Sequence, residues 1–253
     1  MMLTETMDKL VSMRLQGMAQ ALADQTANPT LADLSFEDRF GMLVDREWDH
    51  RESRGIQRRL QAAKLKQPRA AVEDIDFRTP RGLDRSQILS LAGGHWIAAH
   101  QNCLVVGPTG AGKTFLACAL ANRACRLGHT VAYHRVSRLL EALALARADG
   151  SLRSLTSRMA KVDLLVLDDW ALTALSIGQG QDLLDILEDR SGTGSTLIAT
   201  QIPVAQWHAR MGDPTIADAI LDRLVHAAHR IELRGESMRK VRPQVDQQAG
   251  DDT

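Results

Sequence analysis

The stretch Gly107-Pro108-Thr109-Gly110-Ala111-Gly112-Lys113-Thr114 decides the fold, because it matches the phosphate-binding pattern G-x-x-x-x-G-K-[ST] at every required position. The apolar run 103–106 precedes it and predicts a buried strand. Residues 115–127 follow it, are rich in alanine and leucine, and predict a helix. A strand, a glycine-rich loop and a helix in this order are the setting that the pattern requires. A mere glycine turn leaves the Lys-Thr pair unexplained, so the stretch predicts a nucleoside triphosphate site.

The chemistry of the loop follows from its residue types. Glycines allow positive φ angles and a close approach of the backbone to a polyphosphate. Backbone N–H groups and the start of the helix then face the phosphate oxygens. Lys113 is placed to reach the β- and γ-phosphates, and the hydroxyl of Thr114 is placed to bind Mg²⁺. The loop therefore predicts both a triphosphate and its metal ion.

A second apolar run, 164–167, ends in the two carboxylates Asp168 and Asp169. Alone, such a run is common and can be a simple strand-to-turn junction. After a phosphate loop, at a distance that suits a strand–helix–strand unit, the two carboxylates are what phosphoryl transfer requires. We expect Asp168 to hold Mg²⁺, directly or through water, and Asp169 to act as general base on the attacking water.

Two further polar pairs are weak signals when each is taken alone. Thr200-Gln201 ends the apolar run 197–199, and ligands of open sheets lie over the carboxyl ends of strands. Asp222 and Arg223 stand out on an amphipathic helix, where their spacing alone favours a surface ion pair.

The composition is that of a packed, soluble protein. The 253 residues suffice for one large α/β domain and a smaller one, and 44% of them are hydrophobic. The formal net charge is zero, so attraction to nucleic acid requires a local basic patch. No apolar run approaches the roughly 18 residues of a membrane span, and no secretory signal is visible, so the cytoplasm is the expected location. Cys103, Cys118 and Cys125 lack metal-ligand spacing and are expected to be buried thiols.

Helical patterns fill the first part of the chain. An apolar stripe runs over 3–24, and a second helix starts near Ser35 and continues through Trp48. The tract 46–69 carries eight basic and three acidic residues, an excess of 8 − 3 = 5. Such a tract is equally consistent with a solvated helix face and with a nucleic-acid surface. The turn-rich segment 77–82 marks a linker, and we expect a domain boundary near residue 70.

Helix and strand patterns alternate after the linker, which predicts an α/β domain with a parallel sheet. The expected strands are 102–106, 130–134, 163–168, 195–200 and 229–233, with helices between them, notably 137–147 and 180–190. The predicted organisation is a small all-helical domain over 1–70, the α/β domain over 71–243 and a disordered tail over 244–253.

Taken together, the phosphate loop, Asp168-Asp169, Thr200-Gln201 and Asp222-Arg223 resemble an AAA+ ATPase of the DnaC/IstB type. The match is closer to IstB, the helper ATPase of certain bacterial insertion sequences. It extends from about residue 10 to about residue 240. The segments that carry it are 81–84 (RGLD), 107–119, 164–170, 212–214 (GDP), 219–226 and 230–240 (RIELRGESMRK).

The resemblance implies an AAA+ fold with five parallel strands, ATP and Mg²⁺ as cofactors, and a role for each matching residue. Lys113, Asp168 and Asp169 form the core of the implied catalytic set. Gln201 corresponds to the sensor-1 residue, with the preceding threonine beside it. Arg223 corresponds to the arginine finger, which reaches the nucleotide of a neighbouring subunit.

Two departures from AAA+ proteins at large affect the implied mechanism. The second carboxylate is usually Glu, and the shorter Asp169 withdraws the base by one methylene group, which implies slow hydrolysis. A separate helical lid after the fifth strand is missing, so the second sensor arginine is unassigned among Arg234, Arg239 and Arg242. By the same resemblance, the segment 75–83 borders the adenine.

The implied function is an ATP-dependent DNA-binding switch that assists a transposase in the bacterial cytoplasm. ATP joins the subunits of a homo-oligomer through Arg223, the assembly holds double-stranded DNA, and hydrolysis releases it. The candidate DNA-binding residues are Arg54, Arg58, Arg59, Lys64 and Lys66.

Three alternatives remain open. A DnaC-like helicase loader shares the ATPase core, but the RIELRGESMRK ending and the zinc-free N-terminal region favour the transposition helper. A small-molecule kinase needs an acceptor pocket and an arginine-rich lid, which fit poorly with Asp168-Asp169 and a finger from a second subunit. A non-hydrolysing architectural DNA binder leaves Lys113, Thr114 and Asp168 without a purpose.

Overall fold

The computed structural model describes residues 2–31, 33–235 and 237–238. The tail expected to be disordered, 244–253, lies outside these residues, as do two of the candidate sensor arginines, Arg239 and Arg242. The chain divides into two compact units, one that ends at Arg58 and one that begins at Arg59.

The first unit is helical. It contains α1 Met2–Ser12, α2 Gln16–Ala27 and most of α3 Phe36–Ala63. The apolar stripe over 3–24 is not one continuous helix, because Arg14 adopts a left-handed conformation with a φ of 62° between α1 and α2.

Glu47 of α3 supplies the cap that α2 lacks in its own sequence. Its buried carboxylate accepts hydrogen bonds from the N–H groups of Gly17 at 2.7 Å and Met18 at 3.2 Å. Both groups lie in the first turn of α2, where N–H groups have no partner within the helix. A Cβ at Gly17 would lie 2.6 Å from the carbonyl oxygen of Arg46, so the close contact between α2 and α3 requires glycine.

The division between the units falls inside α3, whereas the sequence indicated a boundary near residue 70. The reason is packing, because Ala63, Leu65 and Ala70 are buried in the core of the second unit. The turn-rich linker therefore follows a segment that already belongs to the second unit.

The second unit confirms the predicted α/β fold. Its five parallel strands lie in the order β2-β3-β4-β1-β5, and each lies within one residue of its expected bounds. The strands are β1 Cys103–Val106, β2 Val131–Arg135, β3 Leu164–Asp168, β4 Ser195–Thr200 and β5 His229–Glu232. The helices are α4 Arg85–Ala92, α5 His95–Ala98, α6 Lys113–Arg126, α7 Val136–Ala148, α8 Leu152–Ala160, α9 Ile177–Arg190 and α10 Pro214–Val225.

Both faces of the sheet are covered, which is why the central strands are continuous apolar runs. Leu164 and Val166 of β3 belong to the core on one face, with α4 and α6, whereas Leu165 and Leu167 belong to the core on the other, with α7, α9 and α10. The three cysteines are free and buried, as expected. No helix of the described residues is long and apolar enough to cross a membrane.

The register of the strands decides which loops meet. Val106 pairs with Thr200, and Asp168 pairs with Ala199 on one side and Arg135 on the other. Because all strands are parallel, the loops that follow β1, β2, β3 and β4 emerge at one edge of the sheet.

A buried arginine stabilises the opposite edge. Arg190, at the end of α9, is 1% exposed, and its guanidinium donates hydrogen bonds to the carbonyl oxygens of Met159 at 2.6 Å, Val162 at 2.8 Å and Ser195. Burial lowers its pKa to about 10. The side chain thus ties the end of α8 to the starts of β3 and β4.

We predict that Arg190→Met destabilises the protein, because the substitution leaves several buried carbonyl groups without a donor. The free energy of unfolding should fall by about 2–4 kcal/mol, measured by urea denaturation. Arg153→Met, at an exposed position of α8, is the matched control and should change it by less than about 0.5 kcal/mol. Equal stability of the two variants would contradict the structural role of Arg190.

Candidate nucleotide-binding site

The phosphate loop joins β1 to α6 and has the backbone shape of an anion cradle. Gly110 and Gly112 adopt φ angles of 84° and 95°, which residues with a side chain rarely adopt. A Cβ at Gly107 would lie 2.7 Å from the carbonyl oxygen of Leu233, so this glycine is required by close packing. Lys113 begins α6, burial lowers its pKa, and its Nζ donates to the carbonyl oxygen of Pro108 at 2.8 Å.

Asp168 is fully buried and receives donors from three elements. Its Oδ2 accepts hydrogen bonds from Thr114 Oγ1 at 2.9 Å and from the hydroxyl of Tyr133 at 2.6 Å, and its Oδ1 accepts one from the N–H of Asp169 at 3.0 Å. Burial and the carboxylate raise the pKa of Tyr133, so the phenol stays a donor. The structure thus brings together Thr114 and Asp168, the two predicted Mg²⁺ ligands.

A hydroxyl and a carboxylate are hard oxygen ligands, which fit Mg²⁺. Among the described residues no cluster of three or more His, Cys, Asp or Glu side chains could hold a metal ion by itself. The residues present therefore fit a magnesium ion that completes its coordination with phosphate oxygens and water.

Asp169 is held in a special conformation beside this cluster. Its φ is 60°, and its Oδ2 accepts hydrogen bonds from Arg135 Nε at 2.8 Å and Nη2 at 2.7 Å. This contact raises the pKa of Arg135. Both contacts end on Oδ2, and neither involves Oδ1, the second acceptor oxygen of the carboxylate.

Gln201 follows β4 and reaches the phosphate loop, because its Oε1 accepts a hydrogen bond from Thr109 Oγ1. The preceding Thr200 is buried and donates to the carbonyl oxygen of Trp170 at 2.6 Å, which makes it part of the sheet edge. The structure therefore places Gln201 with the loop and turns Thr200 away from it.

Arg223 lies elsewhere, near the end of α10. Asn102, which immediately precedes β1, donates through its Nδ2 to the carbonyl oxygen of Arg223 at 2.7 Å. The phosphate loop follows the other end of the four-residue β1, about 13 Å away along the strand. The guanidinium of Arg223 pairs with Glu188 at 2.5 Å. Within one subunit, Arg223 and the phosphate loop thus lie at opposite edges of the sheet.

The five candidate DNA-binding residues do not form one set. Arg54 and Arg58 are exposed one turn apart on α3, and Lys64 is exposed just after it. Arg59 Nε instead donates to the carbonyl oxygen of Cys125 at 2.7 Å, and Lys66 Nζ lies 4.0 Å from Asp168 Oδ2.

Sequence reasoning did not assign Tyr133, Arg135 or Arg81 to the site, and it assigned Lys66 to DNA. The first two lie on β2, Tyr133 in its middle and Arg135 at its end, and their place beside Asp168 and Asp169 depends on β2 being the neighbour of β3. Tyr133 and Arg135 are two residues apart and therefore share one face of β2, but this pattern indicates the site only when the strand order is known.

We predict an energetic coupling between Tyr133 and Asp168, because the phenol donates to a buried carboxylate oxygen. Tyr133→Phe should lower the free energy of unfolding by about 1–3 kcal/mol in the parent and by close to zero in an Asp168→Ala background. A double-mutant cycle by urea denaturation measures the coupling. Additive effects of the two substitutions would show that the hydrogen bond carries no free energy.

Comparison with solved structures identifies the fold as that of AAA+ proteins. The crystal structure of DnaI superposes with a TM-score of 0.57 at 23% identity. The match covers 65% of this chain and 91% of the DnaI chain. The crystal structure of the DnaC helicase loader superposes with a TM-score of 0.54 at 18% identity. The match covers 65% of this chain and 96% of the DnaC chain. At these identities the likeness concerns the fold alone.

Sequence comparison is more specific. A "Putative insertion sequence ATP-binding protein y4pL" of Sinorhizobium fredii is 50% identical, over 93% of this chain and 96% of its own length. An "Insertion sequence IS1162 putative ATP-binding protein" of Pseudomonas fluorescens is 45% identical, over 80% and 88%. The family model described as IstB-like ATP binding protein matches residues 8–245. The chain therefore belongs to the IstB-like ATP binding protein family.

Proposed function

We propose that this protein is an ATP-dependent DNA-binding ATPase that assists the transposase of an insertion sequence. The observation that carries the proposal is the meeting of Lys113, Thr114, Asp168, Asp169 and Gln201 at one edge of the sheet. The names of the related proteins, which mention ATP binding and insertion sequences, support the nucleotide and the genetic setting.

ATP binding rests on the loop and on Lys113. The N–H groups at the start of α6 and the lysine charge attract the phosphates, and Lys113 exchanges the carbonyl of Pro108 for phosphate oxygens. A magnesium ion held by Thr114 and Asp168 supplies charge neutralisation at the β- and γ-phosphates when it is bound. Tyr133 keeps Asp168 in place by holding the Oδ2 that Thr114 shares.

Hydrolysis requires Asp169 to act as general base on water. In this structure Arg135 holds Oδ2 of the carboxylate, and Oδ1 is the oxygen proposed to accept the proton from water. Gln201 lies against the phosphate loop through Thr109 and is placed to sense the γ-phosphate. The short side chain of Asp169 and its arginine partner both point to slow hydrolysis.

The site is completed by a second subunit. Arg223 lies across the sheet from the loop of its own subunit, so it meets a nucleotide only if it belongs to a neighbour. A head-to-tail assembly places the Arg223 edge of one subunit against the loop edge of the next. Arg223 must exchange Glu188 for phosphate oxygens when the assembly forms.

We predict that ATPase activity is restored by mixing two inactive variants. Arg223→Ala keeps an intact loop, and Lys113→Ala keeps an intact finger, so each supplies what the other lacks. With random assembly at equal concentrations, about one quarter of head-to-tail interfaces join an intact loop to an intact finger. The rate of phosphate release should recover to about one quarter of the rate of wild type at the same total concentration.

The control replaces the Lys113→Ala partner with the double variant Lys113→Ala/Arg223→Ala, which supplies no finger. No recovery is expected in that mixture. If mixed assemblies form, shown by co-purification of differently tagged subunits, and neither mixture recovers activity, Arg223 does not act between subunits.

The DNA surface is proposed on the basic part of α3 and the residues after it. Arg54 and Arg58 are exposed on one face of the helix, and contacts from arginine to phosphates do not depend on base sequence. Each further subunit joined by ATP adds its own basic residues to the same duplex. Binding should therefore be non-specific, salt-dependent and stronger with ATP.

We predict that Arg54→Ala/Arg58→Ala weakens binding to all duplex sequences. The slope of log affinity against log salt is negative, and its magnitude should decrease by about 0.9 for each phosphate that the variant no longer neutralises. A salt titration with a labelled duplex, with and without ATP, measures both effects. The control Arg138→Ala/Arg153→Ala removes two exposed arginines from α7 and α8. A reduced slope in the control and an unchanged slope in the α3 variant would place the DNA surface on the second unit.

A helicase loader of the DnaC type remains the second candidate. The fold likeness to DnaC and DnaI is compatible with it, but relatives at 45–50% identity carry insertion-sequence names. A transposase gene next to the gene for this chain favours the transposition helper, and binding to a replicative helicase favours the loader.

A further inference from the structure

Arg81 is a buried cation against the outside of the phosphate loop. It is 6% exposed, and its Nη1 donates to the carbonyl oxygen of Ala111 at 2.9 Å. Its Nη2 donates to the carbonyl oxygen of Asp76, also at 2.9 Å. The side chain therefore bridges the loop to the segment that precedes α4.

The charge of Arg81 is only partly compensated, because the nearby carboxylate of Asp76 raises the pKa of Arg81 by less than burial lowers it. None of the ion pairs within the described residues includes Arg81, and its buried Nε has no hydrogen-bond partner. Burial lowers its pKa. A buried charge that donates only to neutral carbonyls and forms no close ion pair is costly, and a further anion nearby lowers that cost.

The contact with Ala111 fixes the direction of one peptide group. The described chain has no cis peptide bond, and in a trans peptide the C=O and the following N–H point in opposite directions. Because the carbonyl of Ala111 points to Arg81, the N–H of Gly112 points away from Arg81. A Cβ at Gly112 would lie 2.5 Å from Arg81 Nη1, so the guanidinium occupies the space beside this glycine.

Arg81 is itself held from several directions. Its carbonyl oxygen accepts a hydrogen bond from the N–H of Arg234 at 2.8 Å, in the segment after β5. The N–H of Met238, further along that segment, donates to the carbonyl oxygen of Gly110 at 3.0 Å. Two successive carbonyls of the loop, those of Gly110 and Ala111, are thus held from outside the loop.

We propose that Arg81 is a positioning residue for the phosphate loop. It directs the N–H of Gly112 toward the β- and γ-phosphates, and the bound polyphosphate balances its charge. The inference rests on the proposed function in that it assumes a nucleoside triphosphate in the loop. It assigns to Arg81 a role in phosphate binding, although the surrounding segment 75–83 was expected to border the adenine.

This role predicts a selective loss of affinity. Ligands with a polyphosphate depend on the oriented N–H group and on the nearby charge, whereas AMP has no β- or γ-phosphate. An adenine contact or a general loss of structure would weaken AMP and ATP alike. Inorganic tripolyphosphate carries the phosphates without the base and separates these cases.

The experiment is equilibrium binding of ATP, AMP and inorganic tripolyphosphate to full-length wild type and Arg81→Met, by titration calorimetry. We expect ATP and tripolyphosphate to lose the same factor in affinity, at least about tenfold, and AMP to lose less than about twofold. Arg153→Met is the matched control, because Arg153 is an exposed arginine of α8, outside both the phosphate loop and the segment 75–83. It should bind all three ligands as wild type does.

Arg81→Lys keeps the positive charge but cannot bridge two carbonyls with a planar fork. Arg81→Lys should lose affinity for ATP and tripolyphosphate but not for AMP, by a smaller factor than Arg81→Met. It serves as the test if Arg81→Met does not fold. Equal losses for AMP and ATP, or unchanged tripolyphosphate binding by a folded Arg81→Lys protein, would overturn the inference. Failure of the wild type to bind ATP would instead contradict the proposed function.

Discussion

The parallel register of the central strands is the constraint on which the rest of the structure depends. β1 lies between β4 and β5, and β3 lies between β2 and β4, so the loops that follow β1, β3 and β4 open side by side. Burial on both faces by apolar side chains fixes this register, because a shift by one residue would turn Leu164 and Val166 toward the wrong core. The phosphate loop, Asp168 and Gln201 meet only because this arrangement holds. The same geometry sends Arg223 to the far edge.

Several charged groups at the site are paired within the protein before any ligand arrives. Lys113 donates to Pro108, Arg135 holds Asp169, and Arg223 holds Glu188. In the proposed reaction, Lys113 and Arg223 must each leave their present partner for phosphate oxygens. Under the proposed function, a nucleotide and a neighbouring subunit shift the protein to an active arrangement if they bind these groups more strongly than the internal partners do.

Much of this site follows from local sequence patterns. The phosphate loop and the apolar strand that ends in Asp168 are continuous in the chain, so pattern and spacing suffice to predict them. The bounds of β1 and β3 could be predicted for the same reason, since each consists mainly of a short apolar run between helices. Tyr133, Arg135 and Arg81 could not be assigned to the site, because they join it only through the order of strands and the return of the chain after β5. The break at Arg14 was hidden because an apolar stripe continues across it. The capping carboxylate of Glu47 was hidden because it comes from another helix.

The mass of the assembly on duplex DNA tests the central claim, that ATP joins subunits of this protein around a shared site. Wild type is mixed with a duplex of fixed length, with and without a non-hydrolysable ATP analogue, and the complexes are weighed by analytical ultracentrifugation. The account predicts several subunits on each duplex with the analogue and few without it. The same number of subunits on each duplex in both conditions would contradict it.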